Sequence, residues 1–209
     1  MNEINIENDN LCTILQLCDS AFPTGGFSHS MGTEAATQHQ FISDYESLKT
    51  FILSCLENAG SSCIPFVKSF KSCFSYASKQ QGKSFLTTSC EVFQLPQIKE
   101  LKDLVDNEKI YCHLPIVFGV VGATLKIPAV KVGEMFLFNC LRTITASIVR
   151  LGKIGTIQAQ HLQFEMQHTL YNILSRHWNL KPEESYISCP MTEVLQNSHD
   201  TMFSKLFFS

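Results

Sequence analysis

Apolar residues in this chain recur with the period of an α-helix and nowhere sustain the period-2 alternation of a strand, so the fold class expected is all-α. Leu48, Phe51, Ile52, Cys55, Leu56 and Ala59 form the clearest stripe, behind Ser43-Asp44-Tyr45-Glu46, which reads as a capping box. Leu11, Ile14, Leu15 and Cys18 follow the same spacing behind Asn10, which is placed as the cap of a short helix burying that face. Gly60-Ser61-Ser62 ends the Leu48 helix, and another helical stretch is expected through Ile64, Val67, Phe70, Phe74 and Ala77. Helical pattern continues over 85–93, 96–106, 116–125, 129–151 and 157–178, and Pro190 suits the first turn of a last helix. The expectation is a single-domain bundle of roughly eight to ten helices over 10–209, preceded by a polar, mobile arm at 1–9.

Composition narrows the function. A 209-residue chain buries a full core, and 44% hydrophobic against 17% charged residues hints at apolar surface that meets a partner. A formal net charge of −3 gives no basic footprint, which argues against nucleic acid and against a membrane surface. Nine cysteines without a Cys-x-x-Cys pair or a secretory leader read as thiols of a reduced, cytoplasmic chain. Cys12, Cys18, Cys55, Cys90 and Cys140 sit among apolar residues and are expected to act as small core hydrophobes. The uncharged run from Cys112 to Leu125 is shorter than the ~20 residues of a spanning helix and reads as a buried core helix.

One stretch breaks the helical pattern sharply: Asp19-Ser20-Ala21-Phe22-Pro23-Thr24-Gly25-Gly26-Phe27-Ser28-His29-Ser30-Met31-Gly32-Thr33-Glu34. Pro23 and the Gly25-Gly26 pair forbid a continuous helix and permit a tight reversal, with Phe22 and Phe27 as apolar anchors. Ser30 is placed as the cap of the next helix, with Glu34 near its positive end.

This stretch resembles the N-terminal signature of the urease accessory protein UreF family. Arg150-Leu151-Gly152 with Ile154-Gly155 and Gln158 is similar to that family's Arg-Leu-x-x-(apolar)-Gly-x-x-Gln turn. His199 followed by Lys205-Leu206-Phe207-Phe208-Ser209 is similar to a family terminus of His and then Arg-Leu-Phe-Arg-Ser. Ala77-Ser78-Lys79-Gln80-Gln81-Gly82 resembles a further family turn, and the interval from Phe66 to Ala77 is roughly two dozen residues shorter than the resemblance leads one to expect.

The resemblance implies an all-α protein with no catalytic activity of its own. It implies joining the accessory protein UreD (also UreH), recruiting the GTPase UreG, and supporting GTP-dependent nickel insertion into apo-urease. No cofactor is expected on this chain, with nickel and GTP handled by the complex, and a homodimer is compatible with it. The partner-binding residues so implied are Pro23, Gly25, Gly26, Phe27, Ser28, His29, Ser30, Glu34, Arg150, Gln158, His199, Lys205, Leu206, Phe207, Phe208 and Ser209. Lys205 lacks the planar fork of the family's Arg, and Phe208 stands where a second Arg is common, which shifts the tail toward apolar docking.

The residues themselves give little support to other chemistry. Asp19, Ser28, His29 and Ser30 lie close in sequence but lack the Gly-x-Ser-x-Gly elbow of a hydrolase, and Thr24-Gly25-Gly26 lacks the Lys-Ser/Thr end of a phosphate loop. His161 and His168 share a helix face seven apart, whereas a one-helix metal site favours i, i+4 neighbours, and no metal residues are assigned. The alternatives are an unrelated α-helical adaptor and, behind it, a small metal-dependent hydrolase. The aromatic tail has two readings, docked on its own core or ordered by a partner, and the resemblance favours the second.

Overall fold

The computed structural model describes residues 10–23, 30–69, 76–198 and 206–207. Among them run ten α-helices: α1 (Leu11–Cys18), α2 (Thr33–Gln38), α3 (Tyr45–Ser62), α4 (Ile64–Val67), α5 (Tyr76–Phe93), α6 (Pro96–Asp106), α7 (Leu114–Thr124), α8 (Ala129–Arg150), α9 (Thr156–His177) and α10 (Pro190–Ser198). A 3-10 turn at Pro182–Glu184 lies between the last two, and no strand occurs among the described residues.

Helix α8 is the axis of the packing and touches α1, α2, α3, α4, α7 and α9. Leu137, Leu141, Ile144 and Ile148 are fully buried on it, a 4-3-4 spacing that keeps one face turned inward over three turns. Each such side chain stabilises by roughly 1.5–3 kcal/mol through burial. Helix α8 is apolar and long enough to cross a membrane by composition, but most of its apolar side chains pack within the protein core. Helix α9 returns antiparallel to α8 after a short turn and shares the core with α3.

Two glycines set how closely helices approach. A Cβ on Gly119 of α7 would lie 1.9 Å from the Val67 carbonyl oxygen of α4, and one on Gly82 of α5 would lie 2.1 Å from the Cys112 carbonyl oxygen. The backbone itself occupies those positions, so any side chain would force the segments apart. Ala77–Gly82 therefore lies inside α5 and is no turn: the glycine answers a tertiary contact, which local sequence does not reveal.

Several local expectations shift. Asn10 sits at the start of α1 with φ +59° and makes no cap bond; its amide donates instead to the Lys126 carbonyl at 3.1 Å. On α1 it is Leu17 that is buried, while Leu11 and Leu15 are exposed, because apolar residues wrap most of this two-turn helix and leave the face to packing. Cys12 is exposed there too, so it is no core residue. Ser30 does not cap α2: Met31 (φ +52°) and Gly32 (φ +78°) turn the chain, and Ser30 contributes its carbonyl to the Thr33 N–H at 3.1 Å.

The box before α3 is one residue later than expected. Asp44 accepts from the Ser47 N–H at 2.8 Å while Ser47 Oγ accepts from the Asp44 N–H at 3.0 Å, and the Ser47 backbone bond holds the Asp44 carboxyl below its ordinary range. The helix expected from Ile64 to Ala77 is a single turn, α4, followed by α5 from Tyr76; Phe70 and Phe74 lie outside the described residues.

Candidate partner-binding site

Helix α8 ends in a left-handed turn. Gly152 (φ +69°) donates to the Val149 carbonyl at 2.9 Å and Lys153 to that of Ile148 at 3.1 Å, a pair of bonds that closes the last turn and needs a residue tolerant of positive φ. The turn leaves Arg150 as the final residue of α8, exposed, next to the chain terminus. One Arg150 Nη donates to the Leu206 carbonyl at 3.3 Å, and the guanidinium carbon lies 4.5 Å from the centre of the Phe207 ring. A cation over an aromatic face is attracted by the ring quadrupole, and the flat guanidinium stacks there better than an ammonium.

Glu34, in the first turn of α2, closes the arrangement from the other side. It is buried, and its two carboxylate oxygens accept from the Leu206 N–H at 2.6 Å and the Phe207 N–H at 3.1 Å. Phe207 is 5% exposed and Leu206 46% exposed. The first exit from the elbow, the α8 end and the tail thus meet at one place, although Glu34 and Leu206 are 172 positions apart. Helix α2 is itself held between α8 and α10. A Cβ on Gly32 would stand 3.1 Å from Gln196 Cγ on α10.

The elbow's entrance is anchored on α5. The Phe22 ring lies 6.1 Å from that of Phe85 and 6.0 Å from that of Phe93, and the Pro23 carbonyl accepts from Thr88 Oγ1 at 2.7 Å. Ser30, at the exit, is fully buried. Gly25, Gly26, Phe27, Ser28 and His29, together with His199, Lys205, Phe208 and Ser209, lie outside the described residues. Gln158 is exposed on the first turn of α9, and among the described residues no contact joins it to the Glu34 clip.

This geometry adds to one expected role and changes another. Glu34 stands at the positive end of its helix as expected, and its carboxylate is engaged by the tail's backbone as well. The aromatic tail leaned toward a partner, yet Phe207 is buried against its own chain, and only Leu206 of the described pair keeps an open side.

Asn58 holds a further junction that the sequence motifs do not mark. It is buried on α3, where its Oδ1 accepts from the Ser188 N–H at 3.1 Å and the Cys189 N–H at 3.5 Å, and its amide donates to Glu193 Oε1 on α10 at 3.0 Å. The signal for it was a lone amide between Leu56 and Ala59 on the apolar stripe, since a polar group buried there must find partners.

For other chemistry the geometry offers less. His161 Nε2 is 3.7 Å from Glu165 Oε1, but Glu165 also takes Lys49 Nζ at 3.1 Å and the Tyr45 hydroxyl at 3.1 Å; those bonds, Lys49 first, hold its carboxyl low. Glu165 thereby ties α9 to α3. Among the described residues no three His, Cys, Asp or Glu side chains converge on a metal position. Burial pushes the Cys18 and Cys112 thiols up to about 11 and those of Cys55 and Cys140 higher still, so these thiols stay protonated at neutral pH and are poor ligands or nucleophiles. Asp19 closes a local turn, accepting from the Ala21 N–H at 2.9 Å.

What the fold and the clip define is an all-helical protein whose distant segments converge on a docked terminus. The family model UreF matches residues 72–167. Urease accessory protein F of Arabidopsis thaliana is 32% identical over 218 residues, which cover 93% of this chain and 90% of that protein. The protein of the same name in Oryza sativa subsp. indica is 29% identical over 230 residues, 99% of this chain and 88% of the relative. Urease accessory protein UreF of Bacillus sp. (strain TB-90) is 26% identical, covering 95% of this chain and 99% of its own. The chain belongs to the UreF family of urease accessory proteins. The rice alignment runs over 230 positions against 209 residues here, so that relative carries positions that this chain lacks.

Proposed function

We propose that this chain is a urease maturation factor, a cytoplasmic, non-catalytic scaffold that joins the UreD/UreH accessory protein and the GTPase UreG to apo-urease and supports GTP-dependent insertion of nickel. Nickel is cargo in this reading and GTP belongs to the GTPase, so neither needs a resident site on this chain. The observation that carries the reading is the clip at Glu34, Arg150 and Phe207, which draws the elbow's exit, the α8 turn and the tail into one construction. Each of these three stretches resembles a segment of the urease accessory proteins, and a shared site gives one physical reason for the likeness at Glu34, Arg150 and the tail.

The mechanism is differential binding. A scaffold that favours one nucleotide state of a GTPase shifts its cycle, whereas equal affinity for both states shifts nothing. The docked tail supplies rigidity: with Phe207 and the Leu206 backbone fixed, Leu206 and the exposed Arg150 stand in a defined relation, so less ordering entropy opposes association. A homodimer belongs to the same reading.

Co-expression with the UreD/UreH protein, UreG and apo-urease tests it. The expected result is a co-purifying complex and urease activation that depends on this chain, GTP and nickel. A chain that captures none of them removes the scaffold reading, and turnover by the isolated chain makes it an enzyme.

A further inference from the structure

Arg142, in the second half of α8, carries a guanidinium that its own chain leaves unsatisfied. The residue is half-buried, and its Nε–H is enclosed with no acceptor among the described residues. Burial pushes its pKa below the usual arginine value, while Cys18 and Asp19, at the end of α1, act in the opposite direction. Asp19 is not bonded to it: the Asp19 Oδ1 accepts from the Ala21 N–H at 2.9 Å and from the Ser20 hydroxyl at 3.4 Å. An enclosed donor without an acceptor costs free energy, and buried polar groups are almost always paired. An acceptor that the chain withholds is one that a ligand can bring.

The neighbouring atoms narrow the chemistry. Asn139 precedes Arg142 by about one helical turn, and its Oδ1 is likewise enclosed, with no donor among the described residues. A bare anion would satisfy the guanidinium and repel the amide oxygen. A peptide with an acidic side chain satisfies both, offering a carboxylate to the fork of Arg142 and a main-chain N–H to Asn139. The approach lies along α8. Positions 142, 146 and 150 repeat every four residues and span about 12 Å of one side of the helix. Ala146 is exposed there and too small to block a chain lying across it, and Arg150 and Lys153 are exposed beyond it. The whole chain has a formal net charge of −3, so a strip that gathers three cations stands apart from it and attracts the opposite sign.

We propose that the strip of α8 and its following turn from Asn139 to Lys153 binds an acidic peptide segment of a protein partner, with one carboxylate of that segment seated on Arg142. The inference rests on the scaffold reading for there being a protein partner, and on Arg142 and Asn139 for what that partner must offer.

Fluorescence anisotropy of a labelled hexaglutamate peptide, titrated with the full chain at low ionic strength, reads the site directly. The wild type is expected to bind saturably. Arg142→Gln is expected to weaken binding by at least about tenfold and Lys153→Gln by about twofold, with Arg142→Lys, which keeps the charge without the fork, between them. Lys109→Gln, on the loop between α6 and α7, is expected to change nothing. A second signature belongs to the chain alone. Arg142→Leu replaces an unsatisfied charge with an apolar side chain, so its melting temperature is expected to equal or exceed that of the wild type while peptide binding is lost. No saturable binding, binding that Arg142→Gln leaves intact, displacement of the peptide by an equal concentration of inorganic phosphate, or a melting temperature lowered by Arg142→Leu overturns the proposal. Capture of the UreD/UreH protein keeps the two readings apart: a chain that captures it yet binds no peptide loses this strip and keeps maturation, and a chain that binds the peptide through Arg142 yet captures no urease partner removes maturation alone.

Discussion

The start of α10 and the tail beyond it are both fastened to the helical body by side chains that accept backbone N–H bonds, but one fastener is neutral and the other charged. Asn58 holds Ser188, Cys189 and Glu193 with the two ends of one buried amide. Glu34 holds Leu206 and Phe207 with a carboxylate, and Arg150 covers the ring from outside. The neutral pin sits among other buried contacts of α10, Thr192 and Leu195, so releasing it loosens a helix that belongs to the core. The charged pin holds a short segment whose described burial is Phe207 alone, so releasing it opens the tail and leaves the body intact. Stability is concentrated at Asn58 and adjustable docking at Glu34.

The largest effect is expected from Asn58→Asp. It keeps an acceptor for the Ser188 N–H but puts a carboxylate where an amide now donates to Glu193 at 3.0 Å. A buried carboxylate beside the half-buried Glu193 and a lost donor cost roughly 2–4 kcal/mol, and for a chain of this size each kcal/mol lowers the melting temperature by about 2–4 °C. Adding Glu193→Gln removes the repulsion and should recover most of the loss in thermal melting. Unchanged melting in Asn58→Asp would place α10 outside the cooperative unit and erase the contrast between the pins.

Arg150→Lys sharpens the comparison with a smaller change. The charge stays, but the flat stack on Phe207 and the geometry of the Leu206 bond are lost, roughly 0.5–1 kcal/mol of tail docking. Amide exchange at Leu206 and Phe207 should quicken a few-fold while exchange in α8 and the melting temperature stay where they are. Slowed or unaltered exchange at both amides would show that the guanidinium does not hold the tail.

How far the sequence carried each region follows from the range of its contacts. Pro96–Asp106 and the Pro190 start of α10 were legible to the residue, because proline at the first turn is a local constraint. The turn after Arg150 was legible through its resemblance to a family turn, and the positive φ of Gly152 is the local reason it forms. Gly82 misled for the opposite reason: its requirement comes from the Cys112 carbonyl, thirty positions away in another segment. The face of α1 was undecidable because Leu11, Ile14, Leu15, Leu17 and Cys18 encircle two turns, and only packing chose among them. Glu34 shows only its local role in the sequence, since nothing near it announces a partner 172 positions on. Asn58 was visible as an amide on an apolar stripe, but the three groups it holds lie beyond residue 187.

The central claim, that the α2 carboxylate and the tail form one site for the accessory partner, is tested most directly by a double-mutant cycle on capture of the UreD/UreH protein. Glu34→Ala removes two charge-assisted bonds, worth roughly 1.5–3 kcal/mol of tail docking, and Phe207→Ala removes the side chain those bonds hold in place. If both act through one docked tail, each single variant weakens capture about tenfold or more and the double variant is scarcely worse than either, because the second change has nothing left to release. Losses that add in full, or a Glu34→Ala chain that captures its partner as tightly as the wild type, would contradict it.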